Sequence, residues 1–243
     1  MKKRKLTKKA KIFIFISSII LILASFTWTS RDTLQEAFGL EKSRTMEYVS
    51  QPRTLKEWQA INPNTVMVLE FASNGILHNI PVLEVDNGDK YMKRNPWGDY
   101  DSMGSVFMEK EISPYKGSNN WLINGHSSFN KDWNFTFLKN YAKQDYLNKH
   151  STFQVELEDG FHTYRILSFA EYDLELNEES IYMGWYNNNF AVDEGIAMIK
   201  ETLPYLLSSN PGFQYRGQQM MTLITCNMKK KDSRFVIMAL EVK

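Results

Sequence analysis

The sequence predicts a mainly β fold, because most of its apolar residues fall in short runs with the length and composition of strands. Asn74-Gly75 separates the first two runs and Asp159-Gly160 follows a later one, and both dipeptides favour hairpin turns. An apolar content of 43% supplies a core for one domain of about 200 residues plus an appendage. The predicted strands cover residues 65–71, 76–85, 104–108, 121–124, 152–158, 162–170, 221–226 and 234–237.

Three segments break this strand pattern with apolar residues at helical spacing. After Pro52, the residues Leu55, Trp58 and Ile61 recur every third position and predict a helix that packs on the domain. A short helix is expected at residues 135–141. A third helix, of about four turns, is predicted before the last two strands from Phe190, Ala191, Ile196, Met198, Ile199, Leu203, Leu206 and Leu207.

The N-terminal 30 residues have the charge pattern of a membrane anchor. Seven Lys or Arg and no acidic residue lie in this segment, and residues 12–28 carry no charge. That apolar run is near the lower length limit for a spanning helix. Positive charge before it predicts that the N-terminus stays inside the cell and that the body is exported. A cleaved signal peptide is the alternative, although residues 24–27 match a cleavage site poorly.

The charge balance of the remaining chain excludes several classes of function. Residues 1–30 carry a net charge of +7, and the rest, with 22 basic and 28 acidic residues, carries −6. This mildly acidic body lacks the basic surface of a nucleic-acid-binding protein. The acidic turn at residues 86–89 does not have the spacing of an EF-hand calcium loop. We therefore expect no metal, no cofactor and no nucleic acid.

Cys226, the single cysteine of the chain, ends an apolar run, and Arg234 opens the next run eight residues later. A strand–loop–strand pair of this kind places the thiol and the guanidinium at the same end of neighbouring strands. A thiol that attacks a carbonyl needs a cation or base that favours the thiolate, and donors for the oxyanion. Arg234 offers charge and donors, and His126, on a loop that leaves a strand, is the best base. Taken alone, each residue also fits a structural role.

Together these residues resemble one known family. A strand that ends Thr222-Leu223-Ile224-Thr225-Cys226, the later Arg234 and an upstream Gly125-His126 resemble the sortases, cysteine transpeptidases of Gram-positive cell surfaces. The resemblance covers roughly residues 40–243 and is strongest to class B, whose members carry N-terminal helices and a helix before the cysteine strand. It implies a closed eight-stranded β-barrel. The domains are then the anchor (1–30), a stalk and N-terminal helices (31–61), with a flexible linker as the alternative for 31–45, and the catalytic barrel (62–243).

The resemblance implies a two-step reaction on a C-terminal sorting motif. Cys226 would attack the carbonyl of the motif's threonine and form a thioester, which an amine then resolves. His126 would protonate the leaving amine and deprotonate the incoming one, and Arg234 would orient the peptide and stabilise the oxyanion. The expected acceptor is a pilin lysine, which gives polymerisation, or a cell-wall peptide, which gives anchoring. A membrane-tethered cysteine protease and a non-catalytic surface binding module are the alternatives.

Four further residues are expected at the substrate groove, namely Ile224, Thr225, Asn227 and Tyr182. Many class B sortases have a small hydroxyl residue where this chain has Ile224, and some have an acidic residue where it has Asn227. These departures argue against an Asn-Pro-Gln-Thr-Asn-like motif and favour a pilin-polymerising role, with a more apolar pocket at Ile224. Tyr182 lies in the insertion before the cysteine strand, where it offers either aromatic surface for a peptide or packing onto the barrel.

Overall fold

Nine strands form one sheet in the part of the chain that the computed structural model describes, residues 53–86, 90–110, 117–128, 134–173, 189–230 and 232–242. The strands are β1 (Thr65–Ser73), β2 (Ile76–Val85), β3 (Val106–Glu109), β4 (Asn120–Asn124), β5 (Thr152–Leu157), β6 (Gly160–Asp173), β7 (Leu206–Ser209), β8 (Met220–Cys226) and β9 (Ser233–Glu241). Eight of them follow the order β5-β1-β2-β3-β4-β8-β9-β6, and β5 pairs with β6 to close a barrel. β7 adds an extra strand beside β6. The predicted closed eight-stranded barrel is therefore confirmed.

The β1–β2 hairpin turns where the sequence predicted it. Asn74 and Gly75 both have positive φ, at 50° and 79°, which is what a two-residue turn of the favoured hairpin type requires. The pairing of Ser73 with Ile76 closes the turn. Because a hairpin fixes register, this turn decides which side chains of β1 and β2 face the core.

Helix α1 (Leu55–Ile61) precedes the barrel, as the spacing of its apolar residues predicted. Thr54 and Glu57 form a capping box at its start, which satisfies backbone donors of the first turn. Trp58 is fully buried, and its indole N–H donates to Oδ1 of Asn79 on β2 at 2.9 Å. An aromatic side chain of this size dominates local packing, so α1 is held to the barrel mainly by Trp58.

A 3-10 helix (Thr136–Ala142) follows the His126 loop and continues into helix α2 (Gln144–Lys149). Its Phe137 stacks on His78 of β2 with ring centroids 4.0 Å apart, and it meets Phe71 of β1 edge to face. His78 is only 2% exposed, so it is a strand-packing histidine rather than a surface one. The 3-10 helix is therefore fixed against the barrel by its aromatic side chains.

The predicted four-turn helix before the cysteine strand is shorter than expected. Helix α3 (Val192–Glu201) ends before Pro204, and a 3-10 turn (Leu203–Tyr205) leads directly into β7. Proline lacks the N–H that a helix interior needs, so the helix cannot continue through position 204. At the helix end, the Thr202 hydroxyl donates to the Ile199 carbonyl at 2.6 Å. The apolar residues at 206 and 207 therefore belong to a strand, and their assignment to the helix was wrong.

The predicted anchor (12–28), the stalk (31–45) and the aromatic segment around Tyr182 lie outside the described residues. Among the helices that are described, none has both the length and the apolar character needed to cross a membrane. The domain boundaries proposed from the sequence therefore stay a prediction.

Candidate active site

Cys226 and Arg234 face each other across the β8–β9 ladder. The antiparallel register pairs them directly, at the last residue of β8 and the second residue of β9. Directly opposed residues project from the same face of a sheet, with Cβ atoms about 5 Å apart. The eight-residue spacing in the sequence thus becomes a direct cross-strand pairing of the residues that carry the thiol and the guanidinium. Both side chains are half-buried, which leaves them accessible to a substrate.

His126 reaches the same edge from the other side of β8. Strand β4 runs parallel to β8 with Asn124 beside Ile224, and the Gly125 N–H donates to the Ile224 carbonyl at 3.1 Å. Two residues beyond Asn124, His126 is therefore level with Cys226. The order β4-β8-β9 places histidine, cysteine and arginine side by side at one end of the barrel, which we call the thiol edge.

The imidazole of His126 is held by a backbone carbonyl. Its Nε2 lies 3.1 Å from the Met92 oxygen, and no other hydrogen-bond partner of the ring is found among the described residues. A carbonyl only accepts, so Nε2 carries a proton in this arrangement. In a neutral ring, Nδ1 is then the nitrogen left to take up a proton. The histidine is thereby oriented by a third group, as a catalytic base requires.

The loop that carries His126 is also fixed through its own backbone. Phe135 N–H donates to the His126 carbonyl at 3.1 Å. A Cβ at position 125 would lie 2.6 Å from the Phe135 ring, closer than real Cβ atoms approach, so only glycine fits before the histidine. On the far side, Ser128 N–H donates to the Thr136 hydroxyl at 2.9 Å. Packing against Phe135 therefore explains the glycine at position 125, and the chemistry of a base explains the histidine at position 126.

The segment that supplies the Met92 carbonyl depends on Gly104. This glycine has φ +57°, and a Cβ there would lie 2.4 Å from the Tyr91 oxygen and 2.6 Å from the Met92 oxygen. Asn134 adds a second brace, since its amide donates to the Met103 carbonyl at 2.7 Å. Neither Met92 nor Gly104 was predicted as part of the site. Every residue has a backbone carbonyl, so the amino-acid sequence gives no sign of the contact between His126 and the Met92 carbonyl.

Arg234 forms no structural ion pair in the described part of the chain. Its Nη1 donates to the Ser233 carbonyl at 3.0 Å, which orients the side chain. None of the described carboxylates forms a salt bridge with it. Because guanidinium stays charged and carries five N–H donors, most of its donors remain for a substrate carbonyl or oxyanion.

Asn227 holds the β8–β9 loop through its side chain. Its amide donates to Glu171 Oε1 at 2.9 Å, and its Oδ1 accepts from the Lys229 N–H at 3.0 Å. The loop is tied down further by Lys230, whose ammonium lies 2.7 Å from Asp173. Both ends of the Asn227 amide are therefore engaged within the protein, and only 7% of the residue is exposed.

The other predicted groove residues lie beside the thiol but differ in orientation. Ile224 shares the face of Cys226, two residues earlier on β8, and is 3% exposed. Thr225 projects from the opposite face, because successive strand residues alternate. Its hydroxyl is buried and has no hydrogen-bond partner among the described residues. The structure therefore brings His126, Cys226 and Arg234 together, with Ile224 adjacent and Thr225 and Asn227 turned into the protein.

A comparison with models of protein families matches residues 74–242 to the sortase domain. The chain belongs to the sortase family. The chain is accordingly a cysteine transpeptidase, and the thiol edge is the candidate for its site. No curated protein sequence matches the chain significantly.

Solved structures similar to this sortase include several of class B. Sortase B of Clostridium perfringens is 20% identical with a TM-score of 0.67, over 77% of this chain and 99% of that one. A Staphylococcus aureus sortase B–substrate complex is 18% identical with a TM-score of 0.66, over 91% and 99%. A Streptococcus pyogenes class B sortase involved in pilus biogenesis is 20% identical with a TM-score of 0.64, over 77% and 97%. At this identity the likeness is one of fold.

Proposed function

We propose that this sortase is a class B enzyme that cleaves a C-terminal sorting motif and transfers the protein to an amine. The observation that carries the proposal is the Cys226–Arg234 cross-strand pair with His126 at the same edge. The thiol alone would fit a buried structural cysteine, the commonest state of a free cysteine. A half-buried thiol opposite a guanidinium without an ion pair among the described residues is instead arranged for chemistry.

The three residues have distinct roles in the proposed reaction. As His126 takes the proton of the Cys226 thiol, the sulfur attacks the carbonyl carbon of the scissile peptide, and Arg234 N–H groups stabilise the oxyanion that forms. The C–N bond then breaks as His126 gives its proton to the leaving amine, which leaves a thioester. An incoming amine attacks the thioester and transfers a proton to His126. The new amide departs, and the thiol, the histidine and the arginine return to their starting states.

The donors are proposed to be surface or pilin proteins, and the acceptor either a pilin lysine or a cell-wall peptide amine. The enzyme is proposed to act outside the cell, tethered by residues 12–28 with its N-terminus in the cytoplasm. The charge-free run behind seven basic residues supports this topology. Membrane retention of the full-length chain after a high-salt wash tests the tether, and release of a shortened soluble form contradicts it.

The acceptor is tested by incubating the full-length enzyme, in detergent, with a candidate pilin subunit or with a short glycine peptide. Polymerisation gives a ladder of covalent multimers that disappears in Cys226→Ala and in a subunit without its acceptor lysine. Anchoring gives a single conjugate with the peptide amine and no ladder. Release of hydrolysed donor at every amine concentration contradicts transfer and supports the protease alternative. A chain that binds the donor unchanged after Cys226→Ala, with no covalent product in either form, supports the binding module.

A further inference from the structure

A cleft of about 570 Å³ opens beside the thiol edge, between the 3-10 helix, β7 and the β8–β9 loop. We call it the lysine cleft, because its lining includes Lys139, Lys143, Lys229 and Lys230. Its remaining walls combine the apolar Leu207 and Phe235 with polar backbone and side-chain groups. A cleft of this size accommodates two or three residues of a peptide, and its charge sets which peptide.

The lysine cleft adjoins the catalytic residues through their chain neighbours. Ser127, Asn227 and Phe235 line it, and they directly follow His126, Cys226 and Arg234 in the chain. Consecutive Cα atoms are about 3.8 Å apart, so the cleft begins within one residue of each catalytic position. Since Arg234 and Phe235 are adjacent residues of β9 and face opposite sides, the wall of the cleft that Phe235 forms lies behind the thiol edge. A bound peptide reaches the sulfur by passing round that edge.

The positive charge of the cleft is largely uncompensated. Lys139, Lys143 and Lys229 are exposed and take part in none of the ion pairs found among the described residues. Lys230 is paired with Asp173, and the hydrogen bond that its ammonium donates to this carboxylate raises the lysine's pKa. Glu171, the one carboxylate among the described residues that line the cleft, already accepts from the Asn227 amide and the Ser233 hydroxyl. A basic cleft on a body whose net charge outside residues 1–30 is −6 is a local feature, not a general one.

We propose that the lysine cleft binds a carboxylate-bearing peptide, and that this peptide is the amine acceptor of the transfer reaction. The acceptor role rests on the proposed function, whereas the binding does not. Ammonium groups attract carboxylates and repel other cations. A peptide rich in basic residues is therefore disfavoured in this cleft, and so is a lysine acceptor among other basic residues. An amine a few residues away from carboxylates satisfies both the cleft and the thiol.

The binding is tested on the full-length Cys226→Ala chain in detergent, by fluorescence anisotropy at low salt. The probes are Gly-Gly-Glu-Glu, Gly-Gly-Gln-Gln and Gly-Gly-Lys-Lys, each with a free N-terminus and a C-terminal dye. We expect the acidic peptide to bind tightest and to lose affinity as salt rises, because salt screens exposed charges. Replacing both Lys139 and Lys143 by Gln is expected to weaken its binding about fivefold.

The matched control replaces Lys56 and Lys149 by Gln. Both are exposed lysines outside the cleft, and Lys149 lies on α2 near Lys143. The control pair is expected to leave acidic-peptide binding unchanged. Equal affinity for the three probes, or an equal loss in the control, overturns the proposal. Equally strong competition by inorganic phosphate also overturns it, because the cleft would then be a general anion site.

The acceptor role is tested separately with active enzyme and a sorting-motif donor. The acidic peptide is expected to capture a larger share of the thioester, relative to hydrolysis, than the lysine peptide does. This preference is expected to vanish in the Lys139/Lys143 variant and to persist in the Lys56/Lys149 control. An unchanged preference in both variants overturns the acceptor role. If no thioester forms in any chain, the proposed function fails while the anisotropy result still decides the binding.

Discussion

Two histidines at opposite ends of strand β9 are held in contrasting ways. At the thiol edge, His126 has one backbone carbonyl, that of Met92, as its partner among the described residues. At the other end of the barrel, Nδ1 of His162 lies 2.7 Å from Glu241 and Nε2 lies 3.0 Å from Asp159. The Glu241 hydrogen bond is the main cause that raises the pKa of His162, and Asp159 adds to it.

The difference shows how the fold separates a reactive group from a structural one. Two carboxylates favour the imidazolium of His162 and hold both of its ring nitrogens, so this ring serves as an ion-pair partner. A carbonyl orients His126 but leaves its second nitrogen for proton exchange. The ends are about 23 Å apart along β9, between Arg234 and Glu241, so neither environment disturbs the other. Substitutions at each end are therefore expected to change different properties.

The largest expected effect is that of Cys226→Ala. Without a nucleophile no thioester forms, and transfer is expected to fall by at least about 10³-fold. The melting temperature is expected to stay close to that of the parent, because the thiol is half-buried at a strand end. Transfer kinetics check the loss of activity, and thermal denaturation of the same preparation checks the unchanged melting temperature. A matched Thr222→Ala change, which removes a fully buried hydroxyl that donates to Asn120 Oδ1, is expected to lower stability instead.

Arg234→Lys is expected to have the next largest effect. The charge opposite Cys226 survives, but the planar fork of donors does not. Transfer is expected to fall about 10²-fold, the usual cost of an oxyanion donor, with the fold intact. Steady-state kinetics with donor and amine measure it. Near-normal turnover would mean that a positive field at the thiol edge is enough.

The sequence predicted the part of the site that depends on strand spacing. An apolar run ending at Cys226 and another opening at Arg234 imply an antiparallel pair, and the register confirms that they meet. His126 was predicted as the base because it lies on a loop that leaves a strand, and the family resemblance supported that choice; a hundred residues separate it from the thiol, and spacing predicts nothing at that distance. The position of His126 beside Cys226 follows from the parallel pairing of β4 with β8, which no local sequence pattern predicts.

The features that the sequence missed depend on backbone atoms and competing local preferences. The support of His126 by Met92 uses a carbonyl, which every residue possesses. Strand β7 was not predicted, because Leu206 and Leu207 continue the helical spacing of the preceding apolar residues even though Pro204 ends the helix before them. Asn227 was assigned to substrate from the family position, whereas its contacts with Glu171 and the loop backbone appear only in three dimensions.

Gly104→Ala is expected to have a moderate effect on both activity and stability. An alanine Cβ would collide with the Tyr91 and Met92 carbonyls, and its φ of +57° is strained for any L residue. Displacement of the Met92 oxygen releases the His126 ring, so transfer is expected to fall about tenfold. The backbone strain costs about 1–3 kcal/mol of unfolding free energy. Kinetics and denaturant unfolding measure the two losses.

Gly117→Ala is the control for Gly104→Ala. It has a similar φ of +67°, but nothing lies within 4 Å of the added Cβ. It is expected to cost stability through φ alone and to leave transfer unchanged. If both glycine variants lose activity equally, positive φ in general, rather than contact with the Met92 carbonyl, accounts for the loss.

The smallest expected effect is that of His162→Gln on the pH dependence of stability. Because the folded-state pKa of His162 is raised above its usual value near 6.5, its ion pairs stabilise the fold fully below that pH. The contribution is lost as pH rises through the raised value. The parent is therefore expected to exceed the variant in stability at pH 6 and to match it more closely at pH 9. The difference in unfolding free energy between parent and variant at pH 6 stays below about 1 kcal/mol, or a few degrees in Tm, since water reaches this pair.

His150→Gln is the control for His162→Gln, because the His150 ring contacts Tyr146 and forms no ion pair among the described residues. A gap that is the same at both pH values would show that His162 contributes packing rather than charge.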